Sequence, residues 1–365
     1  MDENATVPRF FLGASTPGGF VSRYDQLGSP EDGWRQYLIK GGPGTGKSTL
    51  MKRVARQLDR RCGPIQYIHC SSDVDSLDAL VLPQARVAVC DATPPHVLEP
   101  QYPGAFENVV AITDCWDREL LYSRREEILS LSRTIARCHE GCIRFLSGVG
   151  AMTADASRIA LEATDLEKVS RYARGIAARE AKPRRSVKGR DQVRFLSAVT
   201  NKGPVFFHQT ARLLCPRIIL VDDEYGAAAP VLLARLGEEL REAGWDTITC
   251  FCPMAPFAKA EHLLCPGLGL GFLTVNRFHK VPGGGERTIH ARRFTRQEAL
   301  RLGKKRIAFQ LRGARHLTDQ AAALLAEAKG WHDQLETYYR DAVDFTRVNL
   351  LADRLAEEIN RHALR

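Results

Sequence analysis

The chain is expected to fold as an α/β protein built twice, each copy a parallel sheet flanked by helices and followed by a mainly helical extension. Three observations lead there. The stretch Gly41-Gly42-Pro43-Gly44-Thr45-Gly46-Lys47-Ser48 follows the apolar segment Tyr37-Leu38-Ile39 and precedes a run from Thr49 to Leu58 with apolar residues at helical spacing. Strand, glycine-rich loop and helix therefore occur in succession. A second succession of the same kind lies in the other half: Ile218-Ile219-Leu220-Val221, then Asp223-Glu224-Tyr225-Gly226-Ala227-Ala228-Ala229-Pro230, then a helical run from Val231 to Leu240. After each, residues 116–181 and about 294–365 carry apolar residues at three- and four-residue steps with almost no proline, the pattern of amphipathic helices.

The first loop matches the whole phosphate-binding pattern of a P-loop NTPase. Its glycines let backbone N–H groups turn inward around phosphates, Lys47 reaches the β/γ oxygens, and the Ser48 hydroxyl ligates Mg²⁺. Gly41, Gly42, Pro43, Gly44, Thr45, Gly46, Lys47, Ser48 and Thr49 are thus the expected ATP contacts. The helix that follows turns its positive N-terminus to the same anion.

Further strands offer the remaining chemistry. Arg86-Val87-Ala88-Val89-Cys90-Asp91 reads as an apolar strand ending in a carboxylate. Asp91 at such an edge is the expected second anchor of Mg²⁺, opposite Ser48; an aspartate there also caps a turn into Ala92-Thr93-Pro94-Pro95. Ile65-Gln66-Tyr67-Ile68-His69 is another strand and runs into the polar stretch Cys70-Ser71-Ser72-Asp73-Val74-Asp75-Ser76-Leu77-Asp78. Asp73 or Asp75 there suits the orientation of a water or an acceptor hydroxyl, and His69 the uptake of a proton; a helix N-cap has the same composition. Lys47, Asp73 and Asp91 are the catalytic candidates. No glutamate follows Asp91, so hydrolysis is expected to be slow or to need charge from elsewhere, such as an arginine of the second half.

The repeat extends beyond the loops. Arg9 to Gly19 has a counterpart in Val193 to Gly203, Leu82-Pro83 through His96 in Cys265-Pro266 through His279, and Ala163 to Val169 in Ala342 to Val348. In this register Ala229 replaces Lys47 and Pro230 replaces Ser48, so the second loop is not expected to hold a triphosphate. The division that follows is a first unit over residues 1–181, a basic linker at 182–190 and a degenerate second unit over 191–365. A rival reading takes Ile218-Ile219-Leu220-Val221-Asp222-Asp223-Glu224 as the acidic strand of one larger ATPase domain, with Asp223 on Mg²⁺ and Glu224 polarising water. It requires Val221 on the strand beside Ile39.

Composition sets the wider frame. A length of 365 residues suits two domains, and 44% hydrophobic with 26% charged residues is that of a globular protein. No apolar run approaches the about 18 residues that span a bilayer, and Met1-Asp2-Glu3-Asn4-Ala5-Thr6 lacks a basic region followed by an apolar one. A cytoplasmic protein without a membrane partner is expected. Ten cysteines are scattered through apolar segments and read as reduced core thiols. Cys138 and Cys142, one helical turn apart, read as a packed helix face more than a metal pair. The net charge of +9 is concentrated at 182–190 and at 280–315, where eleven Lys/Arg face two Glu. Such segments suit nucleic acid or an acidic protein, and equally a solvated helix face.

The Gly41 to Ser48 loop, the stretch His69-Cys70-Ser71-Ser72-Asp73 with Asp75-Ser76-Leu77-Asp78, and Asp91-Ala92-Thr93-Pro94-Pro95-His96 together resemble an uncharacterised bacterial family of ATP-binding proteins with tandem P-loop domains. The likeness covers nearly the whole length and implies ATP as ligand. Members usually carry an intact loop in both halves; this chain departs at Ala229 and Pro230. The expected function is a Mg²⁺-dependent ATPase or ATP-driven switch with one working site. A small-molecule kinase using the same loop, and a nucleotide-regulated module that docks nucleic acid or protein, are the alternatives.

Overall fold

The computed structural model describes residues 6–184 and 187–363. The start of the chain up to Ala5, and Arg185 and Ser186 of the basic linker, lie outside the described residues. Before the linker come β1 (Arg9–Phe10), β2 (Gly13–Thr16), β3 (Gly19–Ser22), β4 (Arg35–Lys40), α1 (Lys47–Gln57), β5 (Gln66–His69), β6 (Leu77–Leu82), β7 (Val87–Asp91), β8 (Glu107–Ala111), α2 (Arg118–Ser123), α3 (Arg125–Glu162) and α4 (Leu166–Glu180). After it come β9 (Asp191–Arg194), β10 (Ser197–Thr200), β11 (Gly203–Phe206), α5 (His208–Leu214), β12 (Arg217–Asp222), α6 (Ala228–Glu242), β13 (Thr247–Phe251), β14 (Ala260–Cys265), β15 (Leu270–Val275), β16 (Arg287–His290), α7 (Gln297–Ala342) and α8 (Phe345–Ala363).

Two six-stranded sheets result, ordered β1-β5-β6-β7-β4-β8 and β9-β13-β14-β15-β12-β16. Strand for strand the order is the same, and each half adds a small antiparallel hairpin, β2 with β3 and β10 with β11. Both sheets are mixed, which corrects the expectation of parallel sheets. β6 and β14 run antiparallel to both neighbours while the other pairings are parallel. The connections explain it: only Pro83-Gln84-Ala85-Arg86 separates β6 from β7, far short of the dozen or so residues a parallel crossover needs. Leu77 and Asp78, assigned above to a polar loop, are the first residues of this wholly buried strand.

Val221 pairs with Thr274 and Ile289, whereas Ile39 pairs with Asp91 and Val110. The two strands belong to different sheets, so the single-sheet reading of Asp222-Asp223-Glu224 does not hold.

Side chains alternate across each strand and divide the core. On β4, Tyr37 and Ile39 face α1, with Leu50, Met51 and Val54. Leu38 faces the other way into a cluster shared with Ile218 and Leu220 of β12, Leu264 and Leu273. That cluster holds the two sheets together, and in a smaller one, with Ala14, Ala198 and Val205, Phe11 and Phe195 bond each other's backbones at 2.9 and 3.0 Å.

The helical extensions exchange places. α4, from the first half, lays Val169, Ala173 and Ile176 against Leu232, Leu233 and Leu236 of α6. In return α8, from the second half, lays Val348, Ala352, Leu355 and Ile359 against Leu50, Met51 and Val54 of α1. Burial of each large apolar residue contributes about 1.5–3 kcal/mol, so α8 is a substantial part of what stabilises the first α/β unit. Arg53 adds a bidentate pair to Asp353 at 2.6 and 2.9 Å. Between the units α3 and α7 run antiparallel, with Leu324 over Gly141, Leu317 over Gly148 and Met152 over Gly313. All ten cysteines are free and nine are buried; Cys142 packs among Leu146, Ala321 and Leu325. No helix among the described residues is long and apolar enough to cross a membrane.

Candidate functional site at the 41–48 loop

Gly44 and Gly46 adopt φ of +68° and +85°, conformations that an L side chain rarely takes. They fold the segment after β4 into a tight loop that enters α1 at Lys47, with Gly46 at the N-cap. Thr45 is buried and its hydroxyl donates to the Gly42 carbonyl at 2.8 Å, closing the loop on itself. Thr49 is exposed on the first turn of α1 and Pro43 is half-buried.

Lys47 and Asp91 come together. The Lys47 ammonium donates to the Gly41 and Gly42 carbonyls at 2.8 Å each and lies 3.4 Å from Asp91. Asp91 ends β7, the strand beside β4, which puts its carboxylate at the C-terminal edge where the loop begins. Burial raises the Asp91 carboxyl from its ordinary range, and the Lys47 charge opposes that rise. Asp91 also accepts from the Thr93 backbone N–H at 3.0 Å, so the carboxylate that faces Lys47 caps the turn as well. The Ser48 hydroxyl accepts from the Leu77 N–H at 3.0 Å and tethers α1 to the start of β6.

Asp73 sits in the loop between β5 and β6, where it accepts from the Asp75 N–H at 3.2 Å and the Ser76 hydroxyl at 3.0 Å. It faces Lys329 of α7 at 3.7 Å. Asp75 pairs with Lys202 of the second half. His69 bonds the Val74 carbonyl at 2.8 Å and packs near Phe207; its ring belongs to the support of this loop. Burial keeps it neutral, with its pKa lowered to about 4.

Residues not anticipated from the sequence come from α7 and α8. A Cβ on Gly42 would lie 2.4 Å from the Tyr339 ring, and one on Gly44 would lie 2.8 Å from the Glu336 backbone. Two glycines of the loop therefore also admit a helix of the other half. Tyr339 is held against Trp116 with ring centroids 6.0 Å apart, and Glu336 lies 3.4 Å from His332 and 3.8 Å from Arg340. Phe345 and Val348 of α8 approach Gly46. In sequence, Lys329, His332, Asp333 and Glu336 have the spacing of an ordinary ion-paired helix face, and nothing local marks them as neighbours of residue 44. Gly44→Ala is expected to destabilise the chain by about 2–3 kcal/mol, because its Cβ meets backbone and its φ is strained. Urea unfolding of the variant measures this, and a change below about 0.5 kcal/mol would mean that α7 does not rest on the loop.

The second half repeats the loop with different contents. Gly226 has φ +67°, matching Gly44. Asp223, at the position of Gly41, turns its carboxylate into the loop and accepts from four backbone N–H groups: Tyr225 at 3.3 Å, Gly226 at 3.1 Å, Ala228 at 2.8 Å and Ala229 at 2.7 Å. It is buried, 2% exposed.

Several cations of the basic segments are engaged within the chain, while Arg292, Arg301, Lys304 and Lys305 are exposed. Arg184 stacks on Trp245, Lys188 pairs with Glu242 and Arg190 with Asp32. In the 280–315 segment Arg287 pairs with Glu180, Arg293 lies over Tyr172 and Arg306 pairs with Asp155. In comparisons with known proteins, no family model, no curated protein and no solved structure matches this chain.

Proposed function

We propose that the 41–48 loop is a P-loop that binds ATP with Mg²⁺, and that the chain is a Mg²⁺-dependent ATPase or ATP-driven switch. On this reading it is a tandem P-loop protein with one working nucleotide site and a degenerate partner. The observation that carries the reading is the Asp223 carboxylate, gathered by four backbone N–H groups in a loop of the same register and the same glycine conformation. The equivalent position in the first loop is Gly41, which has no side chain to fill such a nest. An external anion takes that place, and phosphate is the anion for which Lys47 and a helix N-terminus are suited.

Ser48 and Asp91 are the residues that would hold Mg²⁺, directly and through its water shell. Lys47 neutralises charge on the β/γ-phosphates; to do so it exchanges the Gly41 and Gly42 carbonyls for phosphate oxygens. Glu336 of α7, next to Gly44, supplies a carboxylate to orient the attacking water, which the first half lacks after Asp91. Lys329 and Arg340 bring positive charge on the same helix, and Asp73 positions Lys329. ATP is thus enclosed by both halves of the chain.

The test is titration of the full chain with ATP and GTP, with and without Mg²⁺, followed by product analysis with and without a metabolite extract. Mg²⁺-dependent ATP binding with release of free phosphate in the absence of any acceptor is expected. Turnover that appears only with the extract would assign the same site to a kinase, and absence of binding to either nucleotide would sink the proposal.

A further inference from the structure

Away from the glycine loop, Ser22, His96 and Asp78 are linked in series. The Ser22 hydroxyl lies 3.2 Å from His96 Nδ1, and His96 Nε2 lies 3.1 Å from Asp78 Oδ2. A carboxylate only accepts, so the ring proton sits on Nε2 and Nδ1 keeps the lone pair that accepts from the serine. The side chains of His96 and Asp78 are 4% and 9% exposed, whereas Ser22 ends β3 at the surface. The order of groups is that of a serine hydrolase triad with the two ring nitrogens exchanged. A buried acid sets the tautomer of a buried base, and the base faces an exposed hydroxyl.

The surrounding residues make room for this ring and fix its plane. Tyr24 stacks on it with centroids 4.2 Å apart and 5° between the planes, and Phe20 meets it edge-on at 4.9 Å. A Cβ on Gly13 would collide with His96 Cε1. The second half keeps part of the arrangement. Glu261 and His279 answer Asp78 and His96, and His279 Nδ1 lies 3.6 Å from Glu261. Phe206 answers Ser22 and sets its ring edge-on to His279 at 4.9 Å. The acid–imidazole pair is thus common to both halves, and the hydroxyl belongs to the first alone.

The backbone contributes as well. β2 and β3 form a two-stranded hairpin, and the Arg23 N–H donates to the Leu12 carbonyl at 2.7 Å. Leu12 and Arg23 are therefore a hydrogen-bonded pair, which makes Gly13 and Ser22 the next, non-hydrogen-bonded one. The Ser22 N–H consequently points away from β2 at the edge of the hairpin, where it can donate to an oxyanion formed on the group that Oγ attacks. We propose that Ser22 is a nucleophile that takes the acyl group of a small carboxylic ester. Oγ bonds the carbonyl carbon while its proton passes to His96 Nδ1; the ester C–O bond breaks, and that proton leaves with the alcohol. Water, deprotonated by the same nitrogen, then releases the carboxylic acid and restores the serine. Asp78 acts through His96 and is a positioning residue. This site is separate from the proposed nucleotide site and stands whether or not ATP binds.

The probe is a fluorophosphonate, whose phosphorus stands in for the carbonyl carbon and whose adduct on serine does not turn over. It is applied to the full chain and located by peptide mass spectrometry. Ser22 is expected to be labelled about 10²-fold or more faster than Ser123, the scale of a positioned general base; Ser123 is an exposed serine whose hydroxyl bonds the Leu120 carbonyl. Labelling of Ser22 no faster than that of Ser123 would overturn the proposal, and this comparison needs no variant. Hydrolysis of p-nitrophenyl acetate should fall to the same level on labelling and in Ser22→Ala, and hydrolysis unchanged by both would overturn it too. Asp78→Asn should slow the labelling of Ser22 by about 10²–10⁴-fold, because an amide that donates to Nε2 moves the ring proton to Nδ1. A melting temperature near that of the wild type shows that this variant is folded, and His96→Gln removes the base if it is not. An unchanged labelling rate in either folded variant would leave the histidine and its acid as packing alone.

Discussion

Lys47→Ala is expected to lower ATP-dependent phosphate release by about 10²–10³-fold, the scale on which removing one preorganised charge from a phosphoryl-transfer site acts. The fold should survive the change. The Lys47 ammonium contacts only two carbonyls of its own loop and Asp91, and alanine is a good residue for the first turn of α1. Asp91 would feel the loss. Burial already raises its carboxyl and Lys47 is the charge that restrains it, so the variant should also need higher pH for Mg²⁺ to support any remaining binding. The sign follows from Asp91 binding its proton more tightly once the cation is gone. Calorimetric ATP binding at several pH values, with circular dichroism as the control for folding, separates these effects. Unchanged affinity and turnover would leave Lys47 as a clamp on the Gly41 and Gly42 carbonyls and nothing more.

Asp223→Leu should cost about 3–5 kcal/mol of stability. Four backbone N–H groups lose their acceptor inside the protein, and each orphaned buried donor costs about 1–3 kcal/mol, less than additively within one cluster. Asp223→Gly is the more instructive variant, because it recreates the Gly41 arrangement and empties the nest. Its melting temperature should rise with added inorganic phosphate, in tens of millimolar, while the wild type shows no comparable rise. ATP turnover at this second loop is not expected, since Ala229 and Pro230 still stand where Lys47 and Ser48 do in the first. If phosphate stabilises Asp223→Gly no more than the wild type, the two loops are not equivalent anion sites, and the tandem reading loses its main support.

What the sequence made legible was local. β4, the 41–48 loop and α1 follow from an apolar run, a glycine pattern and a helical period that lie within twenty or so consecutive residues. Asp91 was legible as the polar end of a short apolar strand, and the structure places it beside Ile39 and Lys47. The two helical tracts were legible from their three- and four-residue steps. β6 was not: Asp78 in Leu77-Asp78-Ala79-Leu80 interrupts an apolar run and reads as a loop, yet its carboxylate is buried against His96 at 3.1 Å. The exchange of α4 and α8 was hidden for a different reason. Val348, Ala352, Leu355 and Ile359 announce an apolar face, but an apolar face does not name the surface it covers. For Gly42 and Gly44 the glycine pattern announces a tight loop and not the helix that comes close to it, which is visible only in distances to Tyr339 and Glu336.

The exchange of helices also has a consequence for the newborn chain. Leu50, Met51 and Val54 leave the ribosome almost three hundred residues before the α8 side chains that cover them. Through most of synthesis the first unit therefore carries an uncovered apolar stripe beside its glycine loop, and it reaches its finished form only after the second unit has been made.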